Sequence, residues 1–325
     1  MPRPSFDELP LNPDDPPFSA WGLYGKDDEL GTLNLLTAET VAEAAKEIKT
    51  GIRIGLDLPL NFLKRPSHNR RALNHSIIKY PRPNHDDVIE LNTQVSSQWD
   101  GLRHVAFQSR RLFYQGVTVE EISGPGAGTK LGIHEWCNNG GIAGRGVLLD
   151  YCRWAEAQKL VGYNHMSDHQ ITAKNLQAVA KAQNVMLKQG DILLVRSGFT
   201  KGYSQLNDDE KIAWSEQKTT TWIGLETSIN TARWLWDTGF AACGGDQPGW
   251  ESFPIWQKPE EGGLENLALH EVMLSGWGMP IGEFFNLEKL GEECEKRNRY
   301  SFFLASMPLN VPGGVASPPN AMAIF

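Results

Sequence analysis

Two continuous apolar runs, "RGVLLDY" (Arg145–Tyr151) and "GDILLVRSG" (Gly190–Gly198), constrain the fold of this chain more than any other feature. Three or four aliphatic side chains in an unbroken row are consistent with a buried strand, whereas a half-buried strand alternates apolar with polar residues. Between the two runs, "ITAKNLQAVAKAQNV" (Ile171–Val185) reads as a helix, with Thr172 placed to cap its start.

The same mixture recurs on both sides. "LLTAETVAEAAKEIKTG" (Leu35–Gly51) is a helix: Thr37 can cap it, Val41, Ala45 and Ile48 recur at helical spacing, and Gly51 can end it. "GIRIGLDLPL" (Gly51–Leu60) alternates like a half-buried strand, and residues 87–107 predict two or three short strands. Downstream, "GLETSINTARWLWDTG" and "ENLALHEVMLSGWG" predict helices, each leading into a short strand, "FAACGGD" and "MPIGEFF". The helix "NLEKLGEECEKRN", the strand "RYSFFLASM" and a closing loop and strand complete the chain. Strands and helices mix without strict alternation. The expected fold is therefore α/β: a single domain, residues 21–325, with a mixed sheet or barrel-like core, preceded by an extended, proline-rich arm over residues 1–20.

Composition excludes several functions. The net charge of −8 argues against a nucleic-acid surface, which needs clustered Lys and Arg. The one dense basic run, "KRPSHNRR" (Lys64–Arg71), reads as a solvated loop. Cys137, Cys152, Cys243 and Cys294 show no CxxC spacing and read as reduced thiols. No segment has the length of a membrane span or the form of a signal peptide, so a cytoplasmic protein without membrane partners is expected. "SGPGAGTKLGIHEW" lacks the spacing of a phosphate loop, and "VRSGFT" is no nucleophile elbow.

Three stretches carry candidate chemistry. In "NTQVSSQWDGLRHVAF" (Asn92–Phe107), an extended chain would put Gln94, Gln98, Asp100 and His104 on one face. A carboxylate and an imidazole sharing a face can bind a metal or move protons, with the glutamines orienting a substrate. The alternative is a turn at Asp100–Gly101 with His104 as an ordinary core histidine. In "LHEVMLSGWGMPIGEFF", His270 on a helix and Glu283 on the next strand can meet as ligands; a surface histidine and an exposed carboxylate are the alternative. "GGDQPGWESFP" offers Asp246 and Glu251, although turn chemistry also explains Asp246.

"SQWDGLRHV", "GRGVLLDY", "LKQGDILLVRSGFTKGY", "LHEVMLSGWGMPIGE" and "PLNVPGGVASPPNAMAIF" together resemble the cyclase family of bacterial kynurenine formamidase and isatin hydrolase, nearest to a longer branch with a QWDG-type motif. The resemblance runs from "WGLYGKDDELGTLNLLT" onward. It implies a swivelling β/β/α fold, a homodimer, and a hydrolase that opens an amide, formamide, imide or lactone with a metal-activated water. Laid on this chain, the family's His-x-Gly-Thr-His-x-Asp-x-Pro-x-His pattern puts Gln94 and Gln98 where two metal histidines stand, Asp100 at the metal aspartate and His104 at the proton-transfer histidine. The later ligands correspond to His270 and Glu283, and "HQIT" makes His169 a pocket candidate.

An amide oxygen is a poorer zinc ligand than imidazole, so the resemblance implies at most one divalent ion (Mn, Zn or Mg) on Asp100, His270 and Glu283. The other reading is a metal-free cyclase, isomerase or dehydratase using Asp100 and His104. A small aromatic or cyclic substrate is expected, against a wall including Trp99 and Trp277, since both tryptophans, like Trp250, neighbour candidate site residues.

Overall fold

The computed structural model describes residues 3–255, 264 and 266–325. Its strands are β1 (Arg53–Gly55), β2 (Asn74–Lys79), β3 (His85–Glu90), β4 (Gln98–Asp100), β5 (Ile142–Leu149), β6 (Gln170–Ile171) and β7 (Ile192–Val195). These are followed by β8 (Gly224–Leu225), β9 (Ala242–Gly245), β10 (Ile281–Glu283), β11 (Ser301–Ser306), β12 (Ala316–Ser317) and β13 (Ala321–Ile324). Nine of them form one mixed sheet in the order β1-β13-β11-β5-β7-β9-β10-β4-β12. Its centre, β5-β7-β9-β10, is parallel, and antiparallel strands flank it on both sides.

The two apolar runs lie at this centre, and their alternation explains why no polar residue interrupts them. Val147, Leu149, Leu193 and Val195 enter one hydrophobic cluster, while Leu148, Ile192 and Leu194 enter a second on the opposite face. All seven are fully buried. At roughly 1.5–3 kcal/mol for each large aliphatic side chain removed from water, this double burial favours a sheet covered on both faces.

Helices lie where the caps predict. Thr37 and Thr172 accept hydrogen bonds from the backbone N–H groups of Thr40 and Asn175, opening helices at Ala38–Ala44 and Ala173–Ala182. The Glu271–Trp277 segment, expected as an ordinary helix, is instead a π-helix ending on Gly278 in the left-handed region. The N-terminal stretch, expected as an extended arm, packs on the domain and includes a short 3-10 turn at Phe6–Glu8. Phe6 is buried, stacks on Phe18 at 5.2 Å, and its N–H donates to Asp237.

β2 and β3 form a separate hairpin whose twelve residues are all exposed. No helix among the described residues is long and apolar enough to cross a membrane.

Candidate active site

Three residues of β4 decide where the chemistry collects. Alternation along Gln98–Trp99–Asp100 sends Trp99 to one face of the sheet and the two polar side chains to the other. Antiparallel pairing with β10 sets Glu283 opposite Gln98 and Ile281 opposite Asp100. The loop leaving β9 returns Glu251 to the same place, and His270 stands at the N-terminus of the π-helix above it. Asn92–Phe107 is not extended throughout. Only Gln98–Asp100 is strand; turns on either side bring Gln94 and His104 back toward Asp100.

The cluster is a connected hydrogen-bond network. Gln98 donates through one amide nitrogen to Glu283 Oε2 at 2.6 Å and to Gln94 Oε1 at 2.7 Å, and Gln94 donates to Asp100 Oδ1. A carboxylate only accepts, so both glutamines must turn their NH₂ groups inward. His270 bridges Glu251 Oε2, 2.6 Å from Nδ1, and Glu283 Oε1, 3.0 Å from Nε2; the Trp250 backbone N–H also donates to Glu283 Oε1. Asp100 Oδ2 is buried with no hydrogen-bond partner, 3.6 Å from His270 Nε2 and 3.8 Å from His104 Nε2.

Three carboxylates buried together cannot all carry charge without compensation. Burial raises the pKa of Asp100, but His104, His270 and the Gln94 amide outweigh it and hold the group below its usual range. Glu251 is likewise held low, because His270 outweighs its burial. Glu283 absorbs the strain: burial, with the neighbouring Asp100 charge, pushes it up to about 7. Burial lowers His270, yet Glu251, Asp100 and Glu283 raise it well above the ordinary imidazole value. At His104 burial prevails over the attraction of Asp100, so its pKa falls and the ring is neutral at pH 7.

A cleft of about 190 Å³ opens onto this cluster, lined by Gln94, His104, Glu251, His270, Glu283 and Phe284. Ser67, His68, Arg70, Trp222 and Phe253 also line it. The Trp222 and Phe253 rings stack at 4.6 Å and 16°.

The structure brings Gln94, Gln98, Asp100, His104, His270 and Glu283 together, with Gln98, expected as a substrate contact, fully buried and absent from the cleft lining. Three predicted substrate contacts do not join them. Trp99 is fully buried on the other face, against Phe285, with its indole N–H on Ser306. Trp277 is also fully buried; it donates to the Phe18 carbonyl and packs on Phe6 and Trp236. His169 is 2.7 Å from the Tyr151 hydroxyl and is not among the residues lining the cleft. Asp246 is structural, since it accepts hydrogen bonds from Ser197, Gly198 and Thr200 at the start of the following helix. The aromatic wall expected from Trp99 and Trp277 is supplied instead by Trp222 and Phe253. Arg70, within the basic run expected as a solvated loop, faces the cleft.

The donor set suits one divalent ion. One atom each from Asp100, His270 and Glu283 lies within 4.8 Å of the other two. Glu251 takes His270 Nδ1, which leaves Nε2 toward the two carboxylates, the arrangement seen at metal-bound histidines. Asp100 Oδ2, which accepts no hydrogen bond, is the oxygen a cation would satisfy. One nitrogen and two carboxylates suit Mn, Zn or Mg better than a soft ion.

No curated protein sequence matches the chain. A solved structure described as a novel cyclase is 29% identical, with a TM-score of 0.81, and the match covers 94% of this chain and 99% of that one. Isatin hydrolase A from Labrenzia aggregata shares the fold at 13% identity and a TM-score of 0.57, covering 90% of this chain and 98% of its own. The same enzyme from Ralstonia solanacearum gives 14%, 0.54, 89% and 97%. The Cyclase family profile matches residues 28–252, and the chain belongs to the cyclase family.

Proposed function

We propose that this protein is a hydrolase that opens a small amide, cyclic imide or lactone, using one divalent ion held by Asp100, His270 and Glu283. The observation that carries the reading is the buried Asp100 Oδ2, which accepts no hydrogen bond and lies between the His270 and His104 rings, close to Glu283. Such an ion supplies Lewis-acid polarisation of the carbonyl and acidifies water. The protein's own groups do the rest. His104 lines the cleft with a neutral ring and takes the proton released as water adds to the carbonyl, then returns it to the leaving nitrogen or oxygen. Gln94 and Gln98 fix the two carboxylates, and Glu251 fixes the His270 tautomer.

A second reading rests on a specific feature. His270, hydrogen-bonded through both nitrogens to Glu251 and Glu283, is complete as a buried imidazolium, which suits metal-free acid–base chemistry by Asp100 and His104. Elemental analysis of the purified protein separates the two. About one ion per chain, absent from Asp100→Asn and Glu283→Gln, is the expected result. No specific metal in any preparation transfers the assignment to the metal-free reaction. In either case His104→Ala should lower turnover by about a hundredfold to ten-thousandfold, and full turnover in that variant removes His104 from the mechanism.

A further inference from the structure

The cleft wall holds an arginine that the proposed reaction does not use. Arg70 lines the cleft together with Trp222, Phe253 and Phe284. Its side chain's one hydrogen bond among the described residues runs from a guanidinium nitrogen to the Gln94 carbonyl at 3.3 Å, and no described carboxylate lies within ion-pairing distance. Its neighbour Arg71 is paired with Glu90, and Arg65 with Glu216. Arg70 is only partly exposed, and its positive field reaches both His104 and Glu283. A guanidinium has five N–H donors in a planar fork that matches a carboxylate edge-on.

Glu251 and Glu283 line the cleft and Asp100 is buried close to Glu283, so their negative charge repels an anion, and an anionic substrate needs a cation in the cleft wall to bind in one orientation. The stacked Trp222–Phe253 pair lines the same cleft, with Trp222 largely buried and Phe253 partly exposed, and the His68 ring meets Trp222 edge to face at 6.2 Å.

We infer that the substrate is a planar aromatic or cyclic carbonyl compound bearing a carboxylate, with the ring against Trp222 and Phe253 and the carboxylate paired to Arg70. The inference deepens the proposed hydrolase reading and rests on it for the reacting carbonyl, but the anion-binding step needs neither metal nor turnover. Arg70 is assigned as the residue that selects the charged substrate.

Benzoate and benzamide are near-isosteric probes that differ in charge, and calorimetric titration of the full-length protein measures both. The measurement is made on protein as purified and again after chelation. The expected result is that benzoate binds about tenfold or more tightly than benzamide in both preparations, the scale of a charge-assisted, bidentate contact. Arg70→Gln should abolish the preference while leaving benzamide binding unchanged, and Arg70→Lys should restore part of it. A preference that survives in Arg70→Gln overturns the assignment, as does equal loss of both probes, which would make Arg70 a balancing charge for the buried carboxylates. A preference confined to the metal-loaded protein would place the carboxylate on the ion and also overturns it. Because the chelated preparation is tested separately, the absence of a metal defeats the hydrolase reading without touching this one.

Discussion

At the scale of single residues, the site is governed by which buried acid keeps its proton. Asp100 and Glu251 have imidazole partners that hold them ionised, whereas Glu283 shares its surroundings with the Asp100 charge and rises to about 7. An ion bound by Glu283 requires the carboxylate form, so binding expels its proton wherever the free site holds one. Below pH 7 the protonated form prevails, and above it the group is already ionised. Metal affinity should therefore rise with pH more steeply below about 7 than above it. Calorimetry in buffers of different ionisation enthalpy checks this, with roughly one more proton released per ion at pH 6 than at pH 8 expected from that single titration. Equal release at both pH values would mean that Glu283 does not ligate. The residues that sequence reading misplaced were misplaced for a local reason. Trp99 adjoins two site residues in sequence, yet a strand's period of two sends it through the sheet.

At the scale of elements, the pairing of β4 with β10 is the joint on which the site depends. Gly282 lies on β10 beside Glu283 and opposite Trp99. A Cβ at that position would come within 2.6 Å of Phe285 and 2.9 Å of Trp99, on the face away from the cleft. Gly282→Ala should cost about 1–3 kcal/mol as overpacking and, by shifting β10, weaken metal retention without touching a ligand. Urea unfolding and metal content of the same preparation test it; unchanged stability would show that the two aromatic rings yield freely. Caps and apolar runs made the helices at Ala38–Ala44 and Ala173–Ala182 and the strands β5 and β7 legible from sequence. The π-helix was not legible, because "ENLALHEVMLSGWG" has apolar spacing that an ordinary helix would also accept.

At the scale of the whole molecule, the site joins segments from three distant parts of the chain, residues 67–104, 222–255 and 270–284. A ligand bound only in the native state stabilises all of them together. With free metal at a hundredfold above its Kd, the folded protein should gain about 2.7 kcal/mol, and chelation should remove that gain. Scanning calorimetry with and without chelator is the check. Asp100→Asn should melt at the same temperature in both conditions, and a metal-dependent shift persisting in that variant would move the ion elsewhere. The exposed β2–β3 hairpin grows from the cleft wall between Arg70 and Gln94, and nothing in its own burial stabilises it.

Sequence alone determined the mixed α/β class and the central strands, because uninterrupted aliphatic runs admit few other environments. It also determined the order Gln94, Gln98, Asp100, His104, His270 and Glu283, because the resemblance carries spacing as well as residue type. Tertiary structure decided the rest of the site. Glu251 became the partner of His270, and Asp246 a helix cap, although the two stand five positions apart in one loop. Arg70, Trp222 and Phe253 became one wall although more than a hundred residues separate the first from the others. Local pattern reports what a residue's immediate neighbours are, whereas the meeting of distant loops above β4 and β10 is fixed by sheet order and register, which no short stretch of sequence contains.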